Sequence, residues 1–180
     1  MYKVIEDKTI SIRPIRSAPF TICLERGFSK GVRLMQTFVP YPSIKKSAES
    51  LDSARLGKQR SESKIILKVL ERRKRSPKEK FGWKNHPAVL MWEGHEDFLR
   101  AYSLAICLEW RKRGYKDSTM PFFLEGIKPN PKPPSWWGDE RLHESHRSKL
   151  IAKFPEHYEN IFTKTRKKTR KDLDYYWPTP

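Results

Sequence analysis

The sequence predicts an all-α fold, a compact single domain of three main helices with long proline-rich connections. Apolar residues recur at helical spacing in three long stretches, whereas alternating runs of the kind that form half-buried strands are scarce. There is no internal repeat that would signal a solenoid. The 180 residues are 37% hydrophobic, enough for one core but hardly for two.

Taken in order, residues 1–34 show short apolar pieces, Pro14 and Pro19, and no sustained period. They end in Lys30-Gly31-Val32-Arg33, which purine-rich codons resembling a ribosome-binding site can encode, just before an internal methionine, Met35. The expectation is that residues 1–34 are a non-native or disordered extension and that translation starts at Met35. A short extra arm is the alternative. Residues 36–42 contain Pro40 and Pro42 and are too proline-rich to start a helix.

Ser43 is a plausible N-cap, followed by Ile44, Ala48 and Leu51 at i, i+4, i+7. That helix either continues through Asp52 or restarts there, and runs to about Arg73 on Leu56, Ile65, Ile66, Val69 and Leu70. Ser76-Pro77 stops it. Pro87 suits the first turn of a second helix that extends to about Arg113, with a possible interruption at Gly94 and a stop at Gly114. Phe98, Tyr102, Ala105 and Ile106 mark its buried stripe. Five prolines between 121 and 134 predict an extended connection. Asp139 then caps a third helix through Leu142, Leu150 and Ile151, ending before Pro155. Trp136-Trp137 and Tyr175-Tyr176-Trp177 suit either stacking on unpaired bases or fastening the loop and tail to the core.

Lys and Arg number 38 against 21 Asp and Glu, a formal net charge of +17. Residues 1–34 hold only seven of those cations, so the body itself is basic, with clusters at Arg72-Arg73-Lys74-Arg75, Arg111-Lys112-Arg113 and Lys164 to Lys171. Each lies at or beyond a helix end, where cations also suit the macrodipole. Together with six Trp and seven Tyr, they point to nucleic acid, whose phosphates bind cations through counterion release. No stretch approaches the roughly 20 apolar residues of a membrane span, and no secretory signal is evident. Cys23 and Cys107 match no CxxC spacing, so a disulfide framework and a zinc ribbon are not expected, and the expected compartment is the cytoplasm. His143 and His146 are spaced i, i+3, but no carboxylate or cysteine completes a metal-ligand set. Phosphate-cradling glycine loops and a G-x-S-x-G elbow are missing.

On a helical period Arg55, Gln59, Glu62, Ile66 and Val69 share one stripe, so an apolar face turns polar toward its N-terminus. A carboxylate there is partly screened from solvent and has neighbours that can orient it, as acid/base or electrostatic work requires. An ordinary polar network of Arg55, Gln59 and Glu62 at helical spacing is the competing reading.

Five ordered segments make the pattern specific. They are Met35-Gln36-Thr37-Phe38-Val39-Pro40-Tyr41-Pro42, Arg55-Leu56-Gly57-Lys58-Gln59-Arg60-Ser61-Glu62, Gly82-Trp83-Lys84-Asn85-His86-Pro87-Ala88-Val89-Leu90-Met91-Trp92, Gly94-His95-Glu96 and Ser145-His146-Arg147-Ser148-Lys149. With support from Asp97–Arg100, Arg111–Tyr115 and Ala152–Tyr158, this set resembles the pyrimidine-dimer DNA glycosylase family, the cellular relatives of the phage endonuclease V. The resemblance covers nearly all of 35–180 and none of 1–34.

The resemblance implies a compact all-α, endonuclease V-like enzyme that bends damaged duplex DNA, displaces a base, cuts the glycosidic bond and breaks the strand at the abasic sugar. It implies an N-terminal α-amine as nucleophile, here that of Met35, with Glu62 as the helix glutamate. Arg55, Lys58, Gln59 and Arg60 would line the DNA face, with His86 and His146 beside them and Arg147 and Lys149 on phosphates. No cofactor is expected, and the protein is expected to act as a nucleoid-associated monomer. The family pattern has a small residue after the initiator methionine, whereas Gln36 stands here, so three routes stay open: the Met35 amine, a lysine such as Lys58, or a water activated by Glu62. The alternatives are a glycosylase without lyase activity for a different lesion, and a non-catalytic basic protein that binds or bends DNA.

Overall fold

The structure, a computed structural model, describes residues 35–165 and 175–178. The predicted 1–34 extension, Cys23 and most of the Lys164–Lys171 run lie outside the described residues. Seven helices are present among the described residues: α1 (Ile44–Ser50), α2 (Ser53–Arg75), α3 (Pro87–Leu90), α4 (Glu96–Lys112), α5 (Met120–Leu124), α6 (Glu140–Lys153) and α7 (Pro155–Ile161). None of these residues forms a strand, and none of these helices is long and apolar enough to cross a membrane.

Local chemistry accounts for the boundaries. The Ser43 hydroxyl accepts the Lys46 N–H at 3.3 Å and starts α1. The chain then restarts rather than continuing, because Asp52 adopts extended backbone and its carboxylate takes the N–H groups of Ala54 and Arg55, satisfying orphan donors of the new first turn. The His86 ring caps α3 by accepting the Ala88 N–H, with Pro87 in the first turn. Gly94 and Gly114, at φ +80° and +86°, bound α4 in the left-handed conformation that costs glycine least.

Two elements differ from the sequence expectation. The 121–134 stretch is not wholly extended, since α5 occupies its start with Pro121 in the first turn. The third helix, α6, ends before Pro155 as expected, but Pro155 also begins a further short helix, α7. Proline lacks an N–H, but the first helical turn has no use for that donor.

The long helices α2 and α4 pack against each other, and Leu56, Ile66 and Leu70 share one core with Leu99, Tyr102 and Ile106. Gly57 permits the close approach: a Cβ there would sit 3.0 Å from the Trp110 ring. Trp92, fully buried, stands edge-on to Trp136 at 5.0 Å, and Trp137 meets Phe98 at 4.7 Å. The indole N–H groups of Trp136 and Trp137 donate to Met91 O and Pro42 O, so these two rings fasten the proline-rich connection to the core.

Candidate active site around Glu62

Residues 35–39 are buried and belong to neither helix nor strand. Buried backbone groups need partners, and here side chains from three helices supply them. Gln59 of α2 accepts the Phe38 N–H at 2.8 Å and donates to Gln36 O at 2.8 Å. The Tyr102 hydroxyl of α4 lies 2.7 Å from Phe38 O and 3.0 Å from the Gln59 carbonyl. On the α6 side, His146 Nδ1 accepts the Val39 N–H at 2.9 Å, His143 Nδ1 lies 2.8 Å from Val39 O, and Arg147 donates to Pro40 O at 2.7 Å. Thr37 accepts the Trp92 indole N–H at 2.8 Å. The segment is thus a strut between α2, α4 and α6.

Glu62 lies where that strut meets α2. It is only 7% exposed. Gln59 Nε2 donates to one of its oxygens at 3.1 Å, Lys58 Nζ stands 3.4 Å from the other, and the Gln36 backbone N–H donates to it as well. Burial raises this carboxyl from the ordinary 4.5 to about 7, against the pull of Lys58, the Gln36 N–H and Lys153. Such a group holds and releases a proton at neutral pH, a property that clusters at functional sites. Tyr102, buried beside it, is pushed well above the usual phenol range by burial and by the Glu62 charge.

The residues predicted from the sequence distribute unevenly around this centre. Lys58 is 65% exposed and pairs with Glu62. Met35 is buried and immediately precedes Gln36, whose N–H holds Glu62. Lys149 is half-buried, its ammonium 4.7 Å from the centre of the Tyr175 ring. Arg55 leans away toward the junction of α6 and α7, pairing with Asp52 and donating to Lys153 O. His86 is spent on the cap of α3 and on edge contacts with Trp83 and Trp177.

Four residues expected on a DNA face are engaged with other parts of the protein. Gln59 is fully buried and bonded on both ends of its amide, because an unpaired strut in the interior demands an adjacent donor and acceptor. Arg60 turns the other way, ion-paired with the buried Asp117 and 4.3 Å from the Trp110 ring. His146 is fully buried as a backbone partner, and burial, then the neighbouring His143, lowers it to about 3. It is therefore neutral at physiological pH. Arg147 is 12% exposed and clamps Pro40 O, Thr165 and Glu140.

Tyr102, Lys153 and Tyr175 belong to this centre and were not singled out as site residues. Tyr102 was legible only as core, from its apolar stripe. Among the described residues, no group of His, Cys, Asp and Glu is arranged to hold a metal ion. His143 is instead a backbone partner, lowered by burial. In a comparison with known proteins, residues 35–121 match the family described as pyrimidine dimer DNA glycosylase. Neither a curated protein nor a solved structure matches the chain.

Proposed function

We propose, for a chain whose residues 35–121 belong to the pyrimidine dimer DNA glycosylase family, that it excises damaged bases from duplex DNA and then cuts the strand at the abasic sugar. The observation that carries this reading is Glu62: a buried carboxyl near pH 7 joined to the Gln36 N–H and to a lysine, on a protein of net charge +17. Consecutive Cα atoms are about 3.8 Å apart. A chain starting at Met35 therefore presents its α-amine within reach of that carboxylate.

In the proposed reaction the neutral amine, whose ordinary pKa is near 8, attacks C1′ of the damaged nucleotide. The glycosidic bond breaks and the base departs with the bonding electrons and takes up a proton. Loss of the amine proton and opening of the sugar ring leave an imine between nitrogen and C1′. Glu62 in its ionised form stabilises the cationic sugar, then removes a C2′ proton as the 3′ phosphate leaves. Water hydrolyses the imine and frees the amine. Lys58 is the second candidate amine, favoured by its 3.4 Å separation from Glu62. Extruding the nucleotide costs a few kcal/mol, less at a lesion that stacks badly.

The test uses duplex DNA with one cyclobutane pyrimidine dimer or one abasic site, protein beginning at Met35, and borohydride to reduce any imine. An adduct mapped by mass spectrometry to the Met35 amine supports the first route, and one at Lys58 supports the second. Base release with no adduct indicates an activated water. Glu62→Gln is expected to abolish cutting while sparing DNA binding, which itself weakens steeply with salt. Undiminished cleavage by that variant removes Glu62 from the chemistry.

A further inference from the structure

Residues 175–178 lie against the Glu62 centre although they come from the far end of the chain. Pro178 is buried, and Tyr175, Tyr176 and Trp177 are half-buried and packed on the outside of the core. Contacts with two parts of the fold hold this strap. The Tyr175 ring stands edge-on to His146 with centroids 5.8 Å apart and carries the Lys149 ammonium at 4.7 Å. Tyr176 takes the Arg141 guanidinium at 4.6 Å. Trp177 packs on Tyr175 at 5.2 Å and meets the edge of His86 at 6.2 Å.

Tyr175 reaches the site through Gln36. Its ring stands against His146, whose Nε2 lies 3.2 Å from Gln36 Nε2, its hydroxyl bonds with the Gln36 side chain, and its phenol lies within electrostatic range of Glu62. Gln36 is the residue whose backbone N–H bonds to Glu62. The charged and titratable groups facing Glu62 are Lys58 of α2, Lys153 of α6, Tyr102 of α4 and Tyr175 of the strap. The two lysines favour the ionised carboxylate, while the two phenols, both raised by burial, bring no counter-charge.

We propose that Tyr175 is a positioning residue of the Glu62 centre, its ring sealing the carboxyl from solvent and its hydroxyl holding Gln36 in register with it. The proposal rests on the reading of Glu62 as the working carboxylate. The two halves separate by substitution: Tyr175→Phe keeps the ring and loses the hydroxyl, and Tyr175→Ala loses both.

The experiment titrates the Glu62 carboxyl by NMR in the full chain labelled with 13C-carboxyl glutamate, without DNA, using Glu62→Gln to identify the signal. The wild-type midpoint is expected near 7. It should fall by about one pH unit or more in Tyr175→Ala, as renewed hydration favours the charged form, and stay within a few tenths in Tyr175→Phe. With protein beginning at Met35, the acid limb of the Tyr175→Ala rate profile on an abasic-site duplex should move by the same amount, and Tyr175→Phe should lose about tenfold in kcat with KM retained. An unmoved Glu62 midpoint in Tyr175→Ala overturns the sealing role whatever the activity, and an unchanged kcat in Tyr175→Phe overturns the role of the hydroxyl. A midpoint that moves in a protein that cuts no DNA leaves the positioning role standing and refutes the glycosylase reading instead.

Discussion

Replacing Glu62 by glutamine is expected to stabilise the folded protein at pH 8 and to leave it nearly unchanged at pH 4. The carboxyl is 7% exposed, and burial lifts it from 4.5 to about 7. A group that binds its proton more tightly when folded costs stability as pH rises. The loss begins above the unfolded value of 4.5 and is complete above the folded value of about 7. Each tenfold difference in proton affinity is worth about 1.4 kcal/mol, so the ionised carboxylate costs the fold about 3 kcal/mol at pH 8. Glutamine has the shape of the protonated acid and carries no such cost. Urea denaturation of both proteins at the two pH values measures the difference directly. Equal stability at pH 8, or a loss in the variant, would refute the reasoning, because it would mean that Lys58, Gln59 and the Gln36 N–H fully compensate the buried charge. A gain in stability at the expense of activity is the behaviour expected of a strained working group.

Gln59→Leu should destabilise through the two backbone groups it orphans, Phe38 N–H and Gln36 C=O, at about 1–3 kcal/mol for each unpaired group. Urea unfolding gives the total and amide exchange at Phe38 gives the local opening, and a loss below about 1 kcal/mol would contradict the strut. Lys58→Met removes the strongest of the influences that favour ionised Glu62. The Glu62 midpoint should rise, and the acid limb of the cleavage profile on an abasic-site duplex should move to higher pH. A limb that stays in place would separate Glu62 from the rate-determining proton.

The caps and stops were readable from the chain. Ser43, Asp52, Asp139 and Pro87 announce helix starts, and Gly94 and Gly114 announce boundaries, because each acts on backbone groups within one turn of itself. The stripe in α2 likewise singled out Glu62, since helical spacing alone puts it on the side of Ile66 and Val69. The short helices α5 and α7 were hidden by their prolines, which read as breakers although they sit in first turns. Gln59, Arg60, His146 and Arg147 are polar residues in a basic chain, and composition favoured solvent or phosphate for all of them. Their actual partners are far along the chain: Gln59 meets Phe38 across 21 residues, and His146 meets Val39 across 107.

By itself, then, the sequence determined the helical class, most helix boundaries, the basic character and the one carboxylate worth suspecting, since all of these depend on spacing, local backbone chemistry or summed charge. Only the tertiary structure decided that residues 35–39 form a buried strut, that the histidines and Gln59 serve it, and that Tyr175 packs on His146 beside it. Those outcomes follow from the need to pair buried backbone groups and to exclude water, which packing alone determines.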